Sequence, residues 1–96
     1  MAEIKPSDIV QSLAGHDKSE VFFVLRTEET FAYVADGKNR KCSKPKRKNL
    51  KHLARVAESD SPVAQRIRRG ESVADSEVRK ALAPYRAASR KAKGGK

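Results

Sequence analysis

Residues 21–25 (VFFVL) and 31–35 (FAYVA) carry the strongest β signal in the chain, and Asp36 and Gly37 follow at once. Both runs are β-branched and aromatic and hold no breaker, which suits partly buried strands. Thr27, Glu28, Glu29 and Thr30 join them as a polar hairpin loop. An Asp-Gly pair after an apolar run is a hairpin signal, so residues 38–43 are predicted to run back antiparallel to 31–35. Pro45 then ends that strand or places it at an edge. Upstream, residues 8–14 (DIVQSLA) read as a further strand, and Gly15, His16, Asp17 and Lys18 as a turn. Residues 49–53 (NLKHL) suit one helical turn, with Leu50 and Leu53 closing the open end of the sheet.

The expected core is Ile9, Val10, Leu13, Val21, Phe22, Phe23, Val24, Leu25, Phe31, Tyr33, Val34, Leu50 and Leu53. It suits a four- or five-stranded barrel of about 50 residues, small but viable for one domain. The expected organisation is a flexible N-terminus over residues 1–7, the barrel over 8–55, a helical extension over 56–85 and a disordered basic tail over 86–96. In the extension Ser61 reads as a cap and Pro62 as the first helical residue, with a stop at Gly70. A second helix starts at Asp75, with Glu77 in its first turn and Val78, Leu82 and Tyr85 on one face. Pro84 weakens it near its end. These helices have too few apolar residues for a second core. They pack on the barrel or order on a partner.

Charge is distributed in blocks. The net charge of the 96 residues is +10, and residues 36–55 alone hold nine Lys or Arg against one acid. Residues 86–96 add five bases and no acid, whereas 56–85 are balanced and 1–35 are net acidic. A solvated face normally mixes the signs, so a one-sign block marks an interaction surface for a polyanion, with RNA the leading partner. The candidate phosphate contacts are Lys38, Arg40, Lys41, Lys44, Lys46, Arg47, Lys48 and Lys51. Strand alternation over 40–43 would turn Cys42 to the core and Lys41 outward. The competing reading is a solvated basic loop. Arg66, Arg68 and Arg69 form a smaller cluster that the negative end of a helix explains by itself.

Tyr33 is the best candidate for base stacking, since its hydroxyl favours a wet end and it precedes the Asp-Gly pair. No nucleophile triad, metal-ligand spacing or phosphate-cradling glycine loop is present, so no catalytic residue, metal site or cofactor is expected. The single cysteine, Cys42, suits a reducing compartment. No segment reaches the length of a membrane span. The expectation is a cytoplasmic monomer.

The run from DIVQSLA through Gly15, His16, Asp17 and Lys18, then FAYVADGK and KPKRKNLKHL, resembles the KOW domains of RNA-binding proteins. It is similar in particular to small bacterial KOW-containing relatives of large-subunit ribosomal proteins of the archaeal and eukaryotic type. The resemblance covers residues 8–55, and DSEVRKAL within 75–86 looks like the C-terminal helix of those proteins. Ser19 stands where KOW elements often have glycine. The resemblance implies an SH3-like barrel that binds structured RNA, such as ribosomal RNA, in a translation- or ribosome-related role. It brings His16 and Lys18 in as candidate RNA contacts. KOW modules of transcription elongation factors also contact proteins, so a protein-interaction module of the polymerase or translation machinery is the alternative. A sequence-independent DNA binder is a further one.

Overall fold

Phe22 and Phe23 are neighbours and both buried, because the sheet they lie in is covered on both faces. The computed structural model describes residues 4–16 and 18–94, with side chains as far as Arg86. Five antiparallel strands run Asp8–Ser12 (β1), Val21–Glu28 (β2), Phe31–Ala35 (β3), Lys46–Asn49 (β4) and Leu53–Glu58 (β5). Helices follow at Pro62–Arg68 (α1) and Asp75–Gly94 (α2). The sheet order is β4-β3-β2-β1-β5, and it is unclosed. One 3-10 turn, Leu50–His52, joins the two edge strands.

Side-chain alternation sorts the apolar residues into two clusters. Val10, Phe22, Val24, Ala32, Val34 and Leu53 fill one face, with Ile4 and Leu50 at its margin. Ile9, Val21 and Phe23 point the other way, onto Val63, Ala64 and Ile67 of α1 and Val78 and Leu82 of α2. The helices therefore supply half of one core. Their few apolar residues suffice because the outer sheet face provides the other half. Ser61 caps α1, accepting from the Ala64 N–H, with Pro62 in the first turn.

Several expectations are corrected. The β2–β3 hairpin is tighter than expected, since Glu28 pairs with Phe31 and only Glu29 and Thr30 lie between them. Residues 38–43 are not a strand. The partner of β3 is β4, after Pro45, with Val34 opposite Lys46 and Ala32 opposite Lys48. The cause is Asp36, whose carboxylate accepts from the backbone N–H groups of Lys38 and Arg40 and folds the chain into a loop instead of a ladder. Leu13 is exposed, and Leu25, Phe31 and Tyr33 are half-buried. β5 continues the sheet past residue 55, paired with β1.

Helix α2 continues through Pro84 to Gly94, where a disordered tail is expected from residue 86. Pro84 is exposed, so the carbonyl it leaves unpaired can bond water. At the other end Ser7 is buried, donates its N–H to Val24 at 2.7 Å and accepts from Arg68 Nε. Residues 1–3 of the expected flexible lead-in lie outside the described residues, as do Asp17 of the first turn and Gly95 and Lys96 of the tail. Among the described residues, no helix is long and apolar enough to cross a membrane.

Candidate nucleic-acid interface

The basic segment from residue 36 to 45 is a loop fastened to α2. The N–H groups of Asp36 and Gly37 both donate to the Arg40 carbonyl at 3.0 Å, closing the loop on itself. Arg79 donates to the Gly37 carbonyl at 2.6 Å and Arg86 to the Asp36 carbonyl at 2.9 Å. The Cys42 N–H donates to Asp75 Oδ1 at 2.7 Å. Gly37 sits at φ +75°, and a Cβ there would lie 2.3 Å from the Asp75 carbonyl oxygen. Only glycine lets the loop approach the helix this closely.

This clasp shifts its own titrating groups. The Cys42 N–H, then its thiol, hold the Asp75 carboxyl below its ordinary value, and nearby Lys41 and Arg79 help. Burial first, then the hydrogen bond to Asp75, pushes the Cys42 thiol up to about 12. Cys42 is therefore a neutral packing group, half-buried beside the outer core, as its expected inward role requires, though it sits on a loop. At the start of α2 the Arg66 guanidinium, and then the Ala74 N–H, hold Glu77 low.

Lys38, Arg40, Lys41 and Lys44 project from this loop into solvent. Among the described residues no ion pair engages them. Arg40 and Lys46 line a hollow of about 240 Å³ together with His16, Glu20, Phe22 and Asp36, so His16 does come to the basic loop. Lys18 and Lys51 are exposed on the first turn and the 3-10 turn. The Leu13 N–H donates to the His52 carbonyl at 2.8 Å, which sets those two turns side by side.

Lys48 is the exception. It is buried, and its ammonium donates to Ser12 Oγ at 2.8 Å and to the Ala14 carbonyl at 3.1 Å. It is removed from the exposed set because β4 starts at Lys46, which turns alternate residues, Lys46 and Lys48, towards the face of Val34 and Ala32. Reversing charge at Lys46, Arg47 and Lys48 together would therefore disturb the fold as well as the surface.

Two cations of the region, Arg79 and Arg26, escaped the sequence reading, and Phe31 was expected in the core. Arg79 is a clamp that only the folded loop reveals. Arg26 and Phe31 belong to a ladder on the outer sheet face: the Arg26 guanidinium lies 4.1 Å from the Tyr33 ring centroid, and that of Arg47 lies 4.5 Å from the Phe31 ring. Tyr33 donates its hydroxyl to Glu28. Arg66, Arg68 and Arg69 are engaged structurally, with Glu77, with Ser7, Ser59 and Asp60, and with Glu71 respectively. The chain matches no family model and no curated protein.

Proposed function

We propose that this protein is a KOW-type RNA-binding module with an SH3-like sheet, contacting structured RNA of the ribosomal kind through backbone phosphates. The observation that carries the reading is the clasped basic loop. Cations on a loose loop would lose conformational freedom on binding, whereas the α2 clasp holds this backbone in place beforehand. Lys38, Arg40, Lys41 and Lys44 stand out from it beside Arg79 and Arg86. The strand order, the single 3-10 turn between β4 and β5, and Lys48 reaching from β4 to β1 support an SH3-like arrangement.

Neutralising phosphates releases counterions, so affinity falls steeply with salt. If about six cations engage, the slope of log K on log salt is about −4 to −5. The test is charge reversal at Lys38, Arg40 and Lys44, whose side chains are exposed and whose hydrogen bonds within the loop are made by the backbone, so the fold is kept. Binding to a structured RNA, and its salt slope, should fall sharply at unchanged Tm. Full affinity in the folded triple variant would overturn the reading. Equal affinity for a DNA duplex would replace it with sequence-independent nucleic-acid binding, because an RNA module discriminates by A-form shape and the 2′-hydroxyl.

A further inference from the structure

The outer face of β2, β3 and β4 carries a second surface, different in chemistry from the loop. Phe31 and Tyr33 are half-buried and belong to neither apolar cluster. What covers them is guanidinium: Arg26 over Tyr33 and Arg47 over Phe31. The register makes this one patch, since Tyr33 is paired with Arg26 on one side and Arg47 on the other. A bulge at Leu25 sets it up. Val24 pairs with Val34 and Arg26 with Tyr33, so Leu25 is an extra residue. Leu25 packs under the helices while Arg26, next to it, lies over Tyr33. The Tyr33 hydroxyl bond to Glu28 Oε1, at 3.0 Å, holds the ring in place.

We propose that Arg26, Phe31, Tyr33 and Arg47 form a stacking platform for unpaired nucleobases of the RNA whose phosphates the basic loop holds. This rests on the RNA-binding reading and adds which part of the RNA is engaged: a loop, bulge or strand end rather than continuous duplex. Aromatic rings and guanidinium planes are the surfaces on which splayed bases stack, and bases within a duplex are not available to them. Arg26 and Arg47 are exposed and have no carboxylate partner among the described residues, so their charge also complements the adjoining phosphates. A polycation without such a patch would bind duplex and single strand alike.

The chain has two tyrosines and no tryptophan, so a Tyr85→Phe background leaves Tyr33 as the sole reporter. Its emission is followed during titration with a short oligouridylate, an RNA duplex and inorganic polyphosphate. Oligouridylate should quench Tyr33, whereas duplex and polyphosphate, which offer charge without accessible bases, should not. The double substitution Phe31→Leu, Tyr33→Leu keeps apolar cover on the sheet but removes the rings. It should weaken oligouridylate binding by about 10-fold or more, within the range of stacking losses, and leave duplex affinity and its salt slope unchanged. RNA bound with a steep salt slope, but with Tyr33 unquenched and the double variant binding as the parent, would overturn the platform and leave the phosphate reading standing. No RNA binding by the parent protein would overturn both.

Discussion

Lys48 on β4 donates to Ser12 Oγ on β1 at 2.8 Å, across a sheet in which those two strands are not neighbours. A side chain thus links two strands that no backbone ladder joins. The bond is charge-assisted and buried, and losing one partner of such a bond costs the desolvation of the group that remains. Ser12→Ala should destabilise the protein by about 1–3 kcal/mol in urea unfolding. Lys48→Met removes the bond without leaving a buried cation behind, and should also destabilise the protein. The double variant should be less destabilised than the sum, with a coupling of about 0.5–3 kcal/mol. Strict additivity would show that the link contributes nothing. Lys48→Met should also leave the salt slope of RNA binding unchanged, unlike Lys44→Met.

Gly37 and Gly70 both have positive φ but differ in surroundings. A Cβ at Gly37 would meet the Asp75 carbonyl oxygen and Arg79 Cγ, whereas at Gly70 nothing lies within 4 Å. The left-handed conformation costs an L-residue about 1–2 kcal/mol, which is the whole expected effect of Gly70→Ala. Gly37→Ala adds a clash with helix backbone, for about 2–5 kcal/mol in total. It should also release the basic loop from α2 and weaken RNA binding. Equal Tm losses in the two variants would show that the loop does not depend on its close approach to the helix.

The parts of this fold written in local chemistry were legible from the sequence. VFFVL and FAYVA are strands, Ser61 and Pro62 start α1, and NLKHL holds the 3-10 turn, because each depends on neighbours in the chain. The displacement of β4 was not. It follows from Asp36 bonding to its own loop and from contacts as remote as Cys42 with Asp75, 33 residues away. Ending that strand at Pro45 also left Lys48 in a basic run with no strand to give it a face, so it was read as exposed although β4 turns it inward. β5 reads LARVAE, too weakly apolar to announce a strand, and is held by its pairing with β1. The basic loop was legible as charge, whereas the Arg26 and Tyr33 stack was hidden by the bulge at Leu25.

Acid should loosen the clasp. Asp75 and Glu77 have ordinary values of 3.8 and 4.5, and both are held lower in the folded protein. The unfolded chain therefore takes up protons first as pH falls, and folded stability declines with it. Their contribution is complete above the ordinary values and is lost progressively as pH drops through them towards the lower folded ones. Thermal unfolding from pH 6 to pH 2.5 should show Tm falling from about pH 5 downward. Asp75→Asn should flatten part of that fall. An acid limb unchanged in Asp75→Asn would mean that its bond to the Cys42 N–H adds nothing to stability.

Cys42 offers a readout of the same clasp from the alkaline side. Its thiol stands at 9.0 when unperturbed and at about 12 in the fold. The thiolate is the reacting species, and at pH 8 the fold leaves far less of it than the unfolded chain holds. Alkylation by iodoacetamide should be slower in the native protein than in the unfolded chain, unless the loop opens and exposes the thiol. The residual rate then measures how often residues 36–43 leave α2. Asp75→Asn removes the charge that opposes ionisation and weakens the anchor on the Cys42 N–H, so both effects should speed the reaction. Gly37→Ala should speed it through opening alone. Native Cys42 reacting as fast as the urea-unfolded chain would show that the loop is not held on the helix, and the preorganised basic surface would go with it.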